Sequence, residues 1–368
     1  MTSSKRRTIL LLASALLLLL FVSASSPSPS PSRAILLSRV QKSGTKSLTA
    51  FLYGSPFRRL NASSAAHSAA SQLRCTERAI FAADDQCSAS TFPLPPADAT
   101  LSCYVHQHCA LEPLLEACAR MRSAGVRVDH VVMVRNPVAR FLSEYTSMCR
   151  QLKRHGTLWA YERSALHELG TLCEARSSVR HFLRGARGPV TRSLNRLTKM
   201  TALVSQCEQE AHREGRGDEE WERCMVDSAK RQLRSGGVLV LVQEQLTVSL
   251  ALLAVRLGVS FSGHYLSVVE RAEHKFFVPD PELLSIVAAH HRMDLEVYAE
   301  AEHLLLAEAT RVFGEELNRT LLDPACRFDC PAVDLSTLNS DRPLVKRCRL
   351  PSSCRHTVEK LVSQKQSL

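Results

Sequence analysis

Apolar and polar positions along the chain follow two periodicities. Residues 34–40, 130–134 and 238–242 read as strands, and the last (VLVLV) is fully apolar, the pattern of a strand buried on both faces. A shorter strand is expected over 101–105. Helical spacing fills the stretches between them, at 47–53, 112–121, 139–153, 194–210, 219–233, 246–257 and 293–313. In the third of these, Phe141, Leu142, Tyr145 and Met148 fall on one face. The 130–134 strand must stop at Arg135-Asn136-Pro137, because proline has no N–H to give to a ladder. Strands alternating with helices predict an α/β fold, a parallel sheet flanked by helices. Residues 55–100 read as irregular, with Cys75 and Cys87 available to pin them, and no internal repeat is visible.

The N-terminus changes the picture by choosing a compartment. Lys5-Arg6-Arg7 precedes an apolar run over 9–22 broken only by Ser14, and flanking positive charge keeps that end cytosolic. The run is short for a membrane span, and Val22-Ser23-Ala24 has the small-residue spacing of a cleavage site. A signal-anchor and a cleaved signal peptide both stay open, and both send everything after Ser25 into the secretory lumen. Alternating proline and serine over 27–32 read as a stiff stalk. The expected organisation is a cytosolic tail at 1–7, the signal-anchor or signal peptide at 8–24, the stalk at 25–33, one folded domain at 34–315 and a cysteine-containing tail at 316–368.

Thirteen cysteines fit an oxidising lumen. Cys326, Cys330, Cys348 and Cys354 crowd the C-terminal tail, where disulfides are favoured over zinc because no Cys-x2-Cys knuckle is present. The odd total leaves at least one thiol free or paired with another chain. Asn61 and Asn318 begin glycan acceptor sequons.

Composition narrows the partners without naming one. Over 368 residues, 45% hydrophobic and 23% charged positions exclude global disorder, and 5% aromatics offer no evident stacking surface. A net charge of +11 draws anionic partners such as nucleic acid, anionic lipid or acidic polysaccharide.

Two constellations carry the candidate chemistry. After the first strand, Lys42-Ser43-Gly44-Thr45-Lys46-Ser47 makes a turn into a helix, a place where backbone N–H groups converge on an anion. Lys42 and Lys46 add charge, the hydroxyls add donors, and Gly44 lets the backbone approach closely. It is not a Walker A loop, since Thr45 separates Gly44 from the lysine. The second constellation puts Arg135 at a strand's C-terminal end, where open α/β sheets bind ligands, with Ser143 eight residues on in the next helix. An arginine and a hydroxyl together form a phosphate clamp. Arg140 and Glu144, four apart, read as an ordinary helix pair.

The order strand, K-[ST]-G-x-x-S, then a strand ending R-[DN]-P-[VI]-x-R-x-x-S-[EY]-[YW], resembles the carbohydrate sulfotransferases of glycosaminoglycans. The likeness is strongest to the heparan sulfate 6-O-sulfotransferases and next to the uronosyl 2-O-sulfotransferases. It runs from about residue 34 to 313 and takes in the stretches LNRLTKMTALVSQC (194–207), VDSAK (226–230) and MDLEVY (293–298). The resemblance implies a P-loop-like nucleotide-binding sheet and the donor PAPS (3'-phosphoadenosine 5'-phosphosulfate) as co-substrate, with no metal. It also implies an acidic polysaccharide acceptor rather than nucleic acid, and a single-pass type II Golgi membrane protein with its catalytic domain lumenal, or a secreted one after signal cleavage. In the family the first loop holds the 5'-phosphosulfate, which maps to Lys42 through Ser47, with Lys42 against the transferring group. The arginine and helix serine hold the 3'-phosphate, which maps to Arg135 and Ser143. Thr45 and Lys46 stand where the 6-O enzymes have glycine and threonine, and Arg39-Val40 is more like the 2-O enzymes. The 6-O position is favoured, with the 2-O position and a non-catalytic polysaccharide-binding relative as alternatives.

The reaction needs a base for the acceptor hydroxyl, and histidine titrates in the useful range. His106-Gln107-His108 follows the 101–105 strand where both enzyme groups place their base. Alignment to the 6-O pattern selects His106; alignment to the 2-O pattern selects His108, which is preferred. His130, His264, His290, His291 and His303 read as structural. A lumenal kinase would need an acidic pair near the loop, and Asp129 reads as preceding its strand.

Overall fold

Strand β1 (Arg33–Arg39) lies at the centre of the parallel sheet, flanked by β3 (Leu101–Gln107) on one side and β4 (Arg127–Val134) on the other. Strand β2 (Thr76–Ile80) joins outside β3 and β5 (Val238–Val242) outside β4, so the parallel sheet runs β2-β3-β1-β4-β5. The structure, a computed structural model, describes residues 33–39, 76–80, 94–95, 101–107, 111–155, 195–214, 217–258, 261, 264–269, 281–328 and 344–366. The first segments of the chain, residues 1–32, lie outside it, and with them the expected anchor and all of the expected stalk but Arg33, which instead opens β1. Among the described residues no helix is long and apolar enough to cross a membrane.

The alternation of side chains along β1 divides the core. Ala34 and Leu36 pack on one face against Leu114, Ala117, Cys118 and Met121 of helix α1 (Leu111–Ser123). Ile35 and Leu37 enter the larger core on the other face. That core is built from β4, β5 and the helices that follow. These are α2 (Pro137–His155), α3 (Arg196–Thr201), α4 (Val204–Glu214), α5 (Asp218–Arg234), α6 (Leu246–Leu257), α7 (Pro281–His290) and α8 (Arg292–Phe313). The α/β architecture with a flanked parallel sheet agrees with the sequence expectation.

Several expectations need revising. The helix anticipated over 194–210 is two helices, because the chain turns at Ala202 and Leu203; the freed Leu203 N–H donates to Ser228 Oγ on α5 at 2.9 Å. Helix α2 begins at Pro137 rather than 139, because Asn136 caps it. The Asn136 Oδ1 accepts from Val138 N (3.1 Å) and Ala139 N (3.2 Å), and proline at the first helical position loses nothing by lacking an N–H. The segment expected as a cysteine-containing tail supplies helix α9 (Ser352–Gln366), whose Val358, Leu361 and Val362 join the main core. The Cys326–Cys354 disulfide ties α9 to a short turn at Pro324–Cys326, and Cys207–Cys224 ties α4 to α5. A second sheet pairs β6 (His264–Val269) with β7 (Leu344–Arg349) antiparallel.

Asp129 lies inside β4, not before it, at the N-terminal edge of the sheet. It accepts from Arg33 Nε at 2.6 Å and Arg256 Nε at 3.2 Å. The Arg33 guanidinium also donates to the Leu257 and Arg256 carbonyls, the last of α6, which end the helix where Gly258 takes φ 68°. This ion cluster therefore anchors α6 to the sheet, on the edge away from Arg135.

Candidate functional site

The parallel pairing sends the C-terminal ends of β1, β3, β4 and β5 to one edge. In register, Arg39 lies opposite Gln107 and Met133, His106 opposite Ser38, and Val134 opposite Val242. Strands β3 and β4 flank β1 on either side, so the chain's crossovers change direction about β1, the kind of place where open α/β sheets receive ligands. Residues 42–47 (Lys42, Ser43, Gly44, Thr45, Lys46 and Ser47) and His108 lie outside the described residues. His106 is described as a backbone position within β3, one residue from its end.

Arg135 follows β4 directly and is partly buried at this edge. Burial lowers its guanidinium below the ordinary arginine value, Glu244 works against that shift, and Arg140 adds to it. Asn136, the next residue, is committed to capping α2. Ser143 lies in the second turn of α2, half-buried and three residues beyond Arg140.

Glu244 occupies the short 3-10 turn Gln243–Gln245 that ends β5. Its Oε1 accepts from Asn136 N at 3.1 Å, and its Oε2 accepts from Tyr298 Oη at 3.0 Å. Tyr298 of α8 is nearly buried and also lies 2.9 Å from Glu302 Oε1. Burial together with the two carboxylates raises its phenol well above the ordinary tyrosine value.

Behind this edge sits a buried polar network. Arg140 Nη1 donates to Glu144 Oε2 at 2.6 Å and Arg196 Nη1 to Glu144 Oε1 at 3.1 Å. Asp294 of α8 accepts from Leu197 N (3.2 Å), Thr198 N (2.8 Å) and Thr198 Oγ1 (2.8 Å), thereby capping the start of α3. Burial pushes the Asp294 carboxyl up, but His291, Arg140 and the Thr198 N–H outweigh it and hold the group below the ordinary value. Asn195 enters α3 in the left-handed region (φ 50°), accepts from Asp294 N at 3.3 Å and donates its own N–H to His291 Nδ1 at 3.4 Å. His291 is fully buried, which lowers its pKa, and it packs against Phe141, 5.0 Å between ring centroids.

Arg140 and Glu144 are thus more than a surface helix pair, and this network went unseen in the sequence. Its signal was nonetheless present: Asn195 to Thr198, Ser228 and Asp294 fall inside the three stretches that carry the resemblance. The structure folds those distant stretches against one another. Glu244 has no such signal, sitting in a Gln-Glu-Gln turn outside those stretches.

His130 and His291 are both interior. His130 Nε2 lies 2.6 Å from Ser38 Oγ, and burial, with Arg122 adding to it, lowers its pKa to about 4. Among the described residues no group of three or more His, Cys, Asp or Glu side chains gathers to hold a metal ion. No family model matches the chain, and no curated protein matches it.

Proposed function

We propose that the chain is a PAPS-dependent carbohydrate O-sulfotransferase of the sulfotransferase fold, acting in the Golgi lumen on an acidic, heparan sulfate-like polysaccharide. The observation that carries the reading is the placement of Arg135. It follows a strand beside β1, on the edge where β1 ends at Arg39, three residues before Lys42 in the sequence. Arg135 and Ser143 take the donor's 3'-phosphate, and the Lys42 loop takes its 5'-phosphosulfate.

In the transfer, the acceptor hydroxyl oxygen attacks sulfur in line and the bond from sulfur to the 5'-phosphate oxygen breaks. Adenosine 3',5'-bisphosphate leaves, while the hydroxyl proton passes to a histidine, His108 in preference to His106. Lys42 offsets charge developing around the transferring group. Glucosamine 6-OH is the favoured acceptor and uronic acid 2-OH the alternative; the membrane is reached through the N-terminal segment. The test is transfer of ³⁵S from labelled PAPS to heparan, chondroitin and their desulfated forms. Label entering desulfated heparan at glucosamine supports the reading, and no incorporation into any glycan overturns it.

A further inference from the structure

A carboxylate beside an anion-binding arginine weakens the anion's hold, so Glu244 needs a reason to stand next to Arg135. Its bonds supply one. Oε1 holds the N–H of Asn136, the residue after Arg135, and Oε2 is held in turn by Tyr298 from α8. The Asn136 side chain is already spent on the α2 cap, so its N–H and its amide oxygen are fixed from opposite sides. The turn that presents Arg135 is therefore tied at once to α2, to the end of β5 and, through Tyr298, to α8. Glu244 is itself exposed, and its charge acts on the partly buried Arg135 guanidinium.

We infer that Glu244, oriented by Tyr298, is a positioning residue for the nucleotide clamp, setting the Arg135-Asn136 turn to receive the donor's 3'-phosphate. The inference rests on the sulfotransferase reading above. The carboxylate's hydrogen bond does the positioning, while its negative charge opposes the bound phosphate. The two effects separate on substitution: glutamine keeps an acceptor for Asn136 N and loses the charge, whereas alanine loses both.

The experiment is calorimetric titration of the full chain with adenosine 3',5'-bisphosphate, with melting temperature measured alongside. Glu244→Ala is expected to bind about two- to tenfold more weakly, the range for the net loss of one hydrogen bond. Glu244→Gln is expected to bind as well as the parent protein or better, and Tyr298→Phe to fall between the two. Both Glu244 variants should melt within about 2 °C of the parent, since a surface carboxylate contributes little to global stability. A purely structural role would instead lower melting with no separation of glutamine from alanine. If the parent binds and Arg135→Ala does not, yet Glu244→Ala binds normally, the positioning role falls and the sulfotransferase reading stands. Glutamine binding as weakly as alanine also overturns the positioning role. If the parent protein itself binds no bisphosphate, the sulfotransferase reading falls and the inference with it.

Discussion

Arg140 donates to Glu144 at 2.6 Å one turn along α2, and neither side chain is more than 3% exposed. Glu144 also receives Arg196 from α3, so one carboxylate balances two guanidinium groups inside the protein. Breaking such a pair from one side leaves charge buried without compensation, at a cost of about 3–5 kcal/mol. Glu144→Ala should therefore shift the denaturant midpoint strongly downward. Glu308→Ala, which removes a partner from the largely exposed Arg311, should leave the midpoint unmoved. Equal small shifts for both would show that the buried network carries no special weight.

His130 gives the stability a pH dependence of known sign. The unfolded chain takes up this proton near pH 6.5, while the folded chain, where burial excludes the charge, does so only near pH 4. Its contribution is fully present above the unfolded value and is lost as pH falls from 6.5 toward 4, by at most about 3 kcal/mol. His291, also lowered by burial, pulls the same way, so the comparison must be differential. Equilibrium unfolding of the parent and of His130→Gln at several pH values in this window should show a shallower slope in the variant. Parallel slopes would place the titration elsewhere.

How far the sequence reveals the fold depends on what each residue pattern answers to. The VLVLV run becomes β5 with its anticipated ends, and 246–257 becomes α6, because burial on all sides leaves periodicity little to compete with. Helix α9 has Cys354, Val358, Leu361 and Val362 at helical spacing, but crowded cysteines fit a disulfide-stapled tail equally well. The break at Ala202 and Leu203 is not legible, because it depends on a hydroxyl arriving from Ser228, twenty-five residues on. The same limit applies to the site. Arg135 stands out as a candidate two residues before a proline at a strand end, whereas Glu244 and Tyr298 become candidates only once β5 and α8 meet the Arg135 turn.

Arg135→Ala and Ser143→Ala should both weaken the nucleotide more than the glycan. Loss of one charge-assisted contact is worth about 1.5–3 kcal/mol, or roughly ten- to a hundredfold in affinity. Calorimetry with adenosine 3',5'-bisphosphate reads this directly, and an unchanged affinity in Arg135→Ala would refute the clamp.

Lys42→Ala should abolish transfer while leaving the fold intact, because the residue acts on charge that develops only as sulfur moves. Circular dichroism and melting establish folding, and ³⁵S transfer measures turnover. Near-normal turnover in the folded variant would remove the donor-loop assignment.

The two histidines make the sharpest test. A general base has to lie within hydrogen-bond reach of the acceptor hydroxyl and beside the donor's sulfur, a position with room for one imidazole. Residues two apart share a side in an extended segment and are opposed in a helix. Strand β3 continues through Gln107, with His106 in register opposite Ser38, so His106 is an extended position at the edge where Arg135 stands. If the extended course persists through His108, one imidazole serves as base and the other positions the acceptor. His108→Ala is then expected to lose on the order of 10²–10⁴ in turnover while keeping nucleotide affinity, the range for losing a general base. His106→Ala should lose less and mainly raise the acceptor KM. The reverse ranking gives the base role to His106 and favours the 6-O-like alignment over the 2-O-like one. Two nearly silent variants would mean that neither histidine takes the proton.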